Sequence, residues 1–143
     1  MTSLTDFAEE LRWRCEAYNT QLEFTEDDYI HCIKVAIKQL YIRTGRALGA
    51  NQKVRIFREG GNTYINDCYA LDEEEFILLW AEKRVLEFLM SEHSDDKDYK
   101  TNAISVSGTN KTYGNLAGRQ RDIENECDVL LSHMPRYVGP QAG

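Results

Sequence analysis

The sequence predicts a mainly α protein: a bundle of about four helices, with a β-hairpin over residues 53–69 and a β-like arm over residues 103–115. Apolar residues recur at three- and four-residue steps in four separate segments. After Lys53 that period changes to two. Glycines, prolines and polar runs fall between these segments, where turns are needed.

The first helix follows from Leu4, Phe7, Ala8, Leu11, Cys15 and Tyr18, which share one face from about Ser3 to Tyr18. Thr25 then supplies an N-cap, and Glu26, Asp27 and Asp28 place negative charge at the positive end of a second helix. Ile30, Ile33, Ile37, Leu40 and Tyr41 form its apolar face, and Gly45 ends it. Val54 and Ile56 alternate with charged residues, and after Glu59-Gly60-Gly61-Asn62 the run Thr63 to Tyr69 is rich in strand formers. Gly60 and Gly61 suit the positive φ of the turn between the two strands. An isolated hairpin is marginal in water, so it must lie on the helices or on another molecule.

Asp72 opens a third helix, again with acidic residues in its first turn. Phe76 to Ala81, then Val85, Leu86, Phe88, Leu89 and Met90, cover nearly every direction round the axis, so this helix is expected at the centre of the bundle. Trp80 and Phe88 are its largest expected core anchors. A fourth helix carries Leu116, Ile123, Cys127, Leu130, Leu131 and Met134, and Pro135 stops it. The expected core comprises Ile33, Ile37, Leu40, Trp80, Phe88, Ile123 and Leu130. Residues 1–134 read as one domain and residues 135–143 as an extended tail, in which Tyr137 and Val138 are the sizeable apolar groups.

A chain of 143 residues buries about two-thirds of its unfolded surface on folding, enough for a core without metal or disulfide. The net charge of −7 opposes binding to nucleic acid phosphates and leaves open a protein that surrounds or lines a path for nucleic acid without sticking to it; the sign alone does not choose. Cys15, Cys32, Cys68 and Cys127 lack C-x-x-C spacing and read as reduced thiols in a cytosolic setting. No apolar run approaches the roughly 20 residues that span a bilayer.

The stretch Ile104 to Asp122, with Gly108-Thr109-Asn110-Lys111-Thr112, has the outline of a phosphate-binding loop. Asn110 stands where such a loop needs glycine before its lysine, and Gly114 and Gly118 fall where its helix would begin, so no nucleotide is expected. The better reading is two short extended pieces around a polar turn, with Ile104 and Val106 needing cover from the bundle or from a neighbour's sheet edge. The acidic run Ser94 to Asp98 lacks the glycine and glutamate of a calcium loop. His31, His93 and His133 form no zinc spacing, and no nucleophile motif occurs. No catalytic residue, metal or cofactor is therefore expected.

These elements, from the acidic N-cap through "LYIRTGR", the helix "LDEEEFILLWAEKRVLEFL", "ISVSG…TYGN" and the last helix, resemble the small head-tail connector proteins of tailed bacteriophages. Tyr41, Thr44, Gly45 and Arg46 match the Tyr-x-x-Thr-Gly-Arg helix end frequent in that family. The resemblance covers roughly Glu26 to Tyr137, while the leading helix and the long hairpin depart from it. It implies a structural virion protein, not an enzyme, assembled commonly as a dodecameric ring beneath the portal. That adaptor joins the head to a neck or tail protein, with DNA passing through its lumen. Its place would be the virion neck, after assembly in the bacterial host cytoplasm. It further implies that Ile104, Val106 and Tyr113 meet an adjacent subunit and that Arg136, Tyr137 and Val138 reach the portal. The alternative of another class is a small protein-binding regulatory domain or assembly chaperone that forms no ring.

Overall fold

The computed structural model describes residues 1–16, 24–46, 55–92 and 107–135. Among them are four helices and a small antiparallel sheet. Helix α1 spans Leu4–Cys15, α2 Glu26–Thr44, α3 Leu71–Glu92 and α4 Ser107–His133; the strands are β1 Thr2–Ser3, β2 Ile56–Glu59 and β3 Asn62–Ile65. The chain is mainly helical, as its periodicity predicts.

The ends of α2 are set by local chemistry. The Thr25 hydroxyl accepts from the Asp28 N–H while the Asp28 carboxylate accepts from the Thr25 N–H at 2.8 Å, a reciprocal capping box. At the other end Gly45 adopts φ 73°, a left-handed conformation that costs glycine nothing, and its N–H reaches the Tyr41 carbonyl at 2.8 Å. Glu73 does for α3 what Asp28 does for α2, accepting from the Ala70 N–H at 2.8 Å.

Helix α3 is central: it packs most extensively on α4 and α2, and also on α1. Phe76, Ile77, Val85 and Leu86 are buried along it. Each neighbour lays one apolar stripe on it: Ile33, Ile37 and Leu40 from α2, and Leu116, Ile123, Cys127 and Leu131 from α4, all buried. Phe88 departs from the expectation. It is 41% exposed, because it lies near the rim of the bundle, where Phe24 meets its ring edge-on at 5.6 Å. Trp80 is half-buried, stacked on Phe76, with Arg43 and Lys83 over its ring at 4.6 Å and 4.1 Å. Leu130 is also half-buried.

The hairpin is shorter than the span predicted for it, and a third strand joins it. Strand order is β1-β3-β2, with Thr2 opposite Ile65 and Ile56 opposite the same residue from the other side. Gly60 and Gly61 take φ of 60° and 82° in the turn. Thr63 donates its N–H to the Thr5 hydroxyl at 2.9 Å, which ties the sheet to α1. The helices thus supply the support that a lone hairpin lacks.

The β-like arm is corrected in its second half. Residues 107–115, Tyr113 included, belong to the first turns of α4. Gly108 and Gly114 each cost a helix about 1 kcal/mol, but no proline interrupts the chain between Ser107 and His133, and extending an existing helix gains one hydrogen bond per residue. Residues 103–106 of the arm, Ile104 and Val106 among them, lie outside the described residues, as do Arg136, Tyr137 and Val138 of the tail.

Candidate interaction surfaces

The segment that carries the resemblance builds a junction. Arg46, just beyond the end of α2, donates to Glu73 of α3 at 2.5 Å, to Asp67 at 3.0 Å and to the Cys68 carbonyl. Its guanidinium lies 5.0 Å from the ring centre of Tyr69. The Tyr41 hydroxyl donates to the other Asp67 oxygen at 2.5 Å, and Tyr69 therefore donates to Tyr41 across 2.8 Å. Thr44 turns its hydroxyl back to the Leu40 carbonyl and accepts from the Arg46 N–H. In Tyr-x-x-Thr-Gly-Arg the tyrosine is thus a donor, the threonine a back-bonding hydroxyl, the glycine a left-handed stop and the arginine a clamp on two carboxylates.

Burial, and then the Asp67 hydrogen bond, push the Tyr41 phenol far up; burial likewise pushes Tyr69 up to about 12. For Arg46 burial works against the charge, but Glu73 and Asp67 more than offset it, so its pKa is raised. A strongly perturbed cluster of this kind can mark a reactive centre. Here the hydrogen bonds of Arg46 and Tyr41 to Asp67, of Arg46 to Glu73 and of Tyr69 to Tyr41 anchor the segment after β3 to α2 and α3.

Further ion pairs hold the helices in register, among them Lys83 of α3 with Glu124 of α4 at 3.3 Å. Arg14 of α1 grips both Glu75 oxygens of α3 at 2.9 Å and 2.7 Å, which keeps the Glu75 pKa below its ordinary value. Arg119 of α4 reaches both oxygens of Glu82, which is only 2% exposed, at 3.0 Å and 3.3 Å. Burial pushes the thiols of Cys32 and Cys127 up to about 11 and about 12, so both are protonated near neutrality and pack as small apolar groups.

Among the concave surfaces of the described residues, two involve the packing of α3 on α4 and of the hairpin on α2. The first is a cleft of about 410 Å³ between the N-terminal half of α3 and the C-terminal half of α4, with Leu79, Val129 and Leu130 as its apolar lining and Glu75, Asn125 and Glu126 at its polar margin. Val129 is 58% exposed there. The second is a groove of about 460 Å³ under the hairpin, where Ile56 and Arg58 of β2 overhang Asp27, Ile30, His31 and Lys34 of α2. The Asn66 N–H donates to the Arg55 carbonyl at 3.1 Å, so the alternation of an antiparallel pair turns the main-chain groups of Ile56 and Arg58 away from β3, to the side of β2 where no strand pairs among the described residues.

Among the described residues no group of His, Cys, Asp and Glu is arranged to hold a metal ion, and no helix is long and apolar enough to cross a membrane. Of the expected core, Ile33, Ile37, Leu40 and Ile123 are buried, whereas Leu130 lines the α3–α4 cleft. Sequence reasoning missed the Arg46 junction, whose acidic partners lie more than twenty positions downstream. It also missed β1, a two-residue strand too short for any periodicity to show. No protein-family model, curated protein or solved structure matches this chain.

Proposed function

We propose that this chain is a structural subunit of a ring-shaped head-tail adaptor, sitting beneath a bacteriophage portal in the virion neck and joining the DNA-filled head to a neck or tail protein. The observation that carries the reading is that the α3–α4 cleft and the groove under the hairpin are unlike surfaces at different places on one braced bundle. The groove lies toward the N-terminal end of α2, whereas the cleft lies toward the N-terminal end of α3. The Arg46–Glu73 pair brings that end of α3 to the C-terminal end of α2, so the two surfaces face opposite ends of the helix pair. Two unlike surfaces are compatible with head-to-tail assembly, in which each subunit offers one patch to the neighbour on one side and a different patch to the other.

The Arg46 junction supports the same reading. It makes the resembling motif a brace that fixes the hairpin against the bundle, and a ring closes only when each subunit repeats the same rotation. Overall negative charge is compatible with a lumen along which DNA slides. In this reading Ile104 and Val106 meet an adjacent subunit, while Arg136, Tyr137 and Val138 reach the portal.

Light scattering coupled to gel filtration, with and without purified portal rings, tests the proposal. Subunits that gather into a ring on the portal support it. A protein that stays monomeric and ignores the portal would indicate a small binding or chaperone domain instead.

A further inference from the structure

Strand β2 ends the sheet order β1-β3-β2, and on its far side no strand pairs among the described residues. Its register sets Ile56 opposite Ile65 and Arg58 opposite Thr63, the two positions at which this antiparallel pair exchanges no main-chain hydrogen bonds. The N–H and C=O groups of Ile56 and Arg58 therefore point outward, and both residues are exposed. Such an edge is a template for one more strand.

The same register puts the side chains of Ile56 and Arg58 on the sheet face that carries the buried Thr63 and Ile65, the face toward the helices. Phe57 and Tyr64 stack on the opposite face with ring centres 5.8 Å apart. Ile56 and Arg58 thus roof the groove of about 460 Å³ whose floor is Ile30, His31 and Lys34 of α2. Lys34 and Arg58 bring two cations to it, and among the described residues neither is in an ion pair. Arg58 makes one long contact, to the Gly61 carbonyl at 3.4 Å. Lys38, one turn along α2 from Lys34, and Arg55, which leads into β2, add exposed positive charge. Asp27 in the groove and Glu59 on the other face of β2 are the acidic groups beside these cations. In a chain of net charge −7 this is a locally basic place.

Edge and charge together specify the occupant. A nucleic acid could offer phosphates to the cations, but a phosphate oxygen accepts and cannot donate to the carbonyls of Ile56 and Arg58. A peptide strand meets both the N–H and the C=O groups. We propose that β2 and the groove beneath it form a docking site for an extended acidic segment of a partner protein, added as a further strand along Ile56 and Arg58. Side chains alternate along a strand, so its carboxylates face Lys34 and Arg58 while its apolar residues continue the Phe57–Tyr64 row on the outer face. The proposal stands apart from the ring reading, since it concerns what the groove accepts and not which molecule supplies it.

Amide NMR on the full chain, titrated with a synthetic peptide of about eight residues that alternates Glu and Val, tests this. The expected result is a shift of the Ile56 and Arg58 amides together with slower hydrogen exchange at both, because they gain partners, whereas Phe57 and Glu59 already face β3. The double variant Lys34→Glu, Arg58→Glu, changed at exposed positions, should bind about tenfold or more weakly with an unchanged circular dichroism spectrum. A peptide that alternates Lys and Val should not bind. Ile56 and Arg58 amides that neither shift nor slow at saturating Glu peptide would overturn the proposal, as would equal binding of the Lys peptide. A single-stranded DNA oligonucleotide that binds more tightly than the Glu peptide, and shifts Lys34 and Arg58 without slowing the edge amides, would overturn it in favour of a nucleic acid.

Discussion

Arg119 of α4 meets Glu82 of α3 with two nitrogens, Nε to Oε2 at 3.0 Å and Nη2 to Oε1 at 3.3 Å, at a point where the carboxylate is almost wholly shielded from water. A carboxylate in that position without its cation is costly, whatever the pair contributes when intact. Arg119→Ala should therefore destabilise the fold by about 2 to 3 kcal/mol, below the full range for buried pairs because Arg119 itself is part-exposed. Arg119→Lys should recover only part of that, since an ammonium cannot make both contacts in one plane. Urea denaturation checks both; a loss below about 1 kcal/mol for the alanine variant would mean that Glu82 is satisfied without Arg119.

The junction at the end of α2 predicts a local effect. Arg46→Ala leaves Glu73 and Asp67 facing each other without their shared cation, and should cost about 2 to 4 kcal/mol. Because Asp67 and Cys68 closely follow β3, hydrogen exchange in residues 62–69 should quicken more than in α4. Uniform quickening across all four helices would contradict the assignment of Arg46 as the brace of the hairpin.

Alkaline pH should weaken the same junction. In the folded protein Tyr41 and Tyr69 hold their protons well past the ordinary phenol value of 10, Tyr69 to about 12, while the unfolded chain releases them near 10. The folded state then binds more protons than the unfolded one, so stability falls as pH rises from about 10 toward 12. Cys32 and Cys127 act in the same direction from about 9. Melting temperature followed across this range should drop less steeply in Tyr41→Phe than in the parent, although that variant starts about 1 kcal/mol lower for the lost hydrogen bond to Asp67. Parallel curves for the two proteins would contradict the tyrosine assignment.

Phe76 and Phe88 lie on one helix and should respond differently. Phe76 is fully buried, and its truncation to alanine should cost about 3 to 5 kcal/mol. Phe88 keeps 41% of its surface in water and is held by Phe24 and by Arg84 over its ring, so Phe88→Ala should cost about 1 to 2 kcal/mol. Equal losses in chemical denaturation would place Phe88 in the core after all.

The contrast between those two residues shows where sequence reading stops. Local signals were legible: Thr25 and Gly45 bound α2 in the structure as their capping chemistry dictates, and Gly60-Gly61 makes the hairpin turn. The apolar girth of α3 correctly placed it at the centre, but girth cannot tell which turns lie under a neighbour, and Phe88 falls near the rim. The Gly- and Asn-rich start of α4 reads as a turn because its residues are weak helix formers, and only continuity with the strong pattern after Leu116 makes it helical. Of the candidate surfaces, the sequence displayed the residues of Tyr-x-x-Thr-Gly-Arg but not their partners, since Asp67 and Glu73 are brought to Arg46 by the return of the chain through the hairpin.

An adaptor subunit must change the mass and shape of a portal ring, and that change can be measured. Purified protein mixed with purified portal rings should, by negative-stain microscopy and light scattering, add a second ring of regular subunit number beneath the portal. Circular dichroism of the same sample, showing a helical protein, ensures that a failure to bind is not a failure to fold. Portal rings that keep their mass and outline at saturating protein, with the folded protein monomeric beside them, would contradict the adaptor reading.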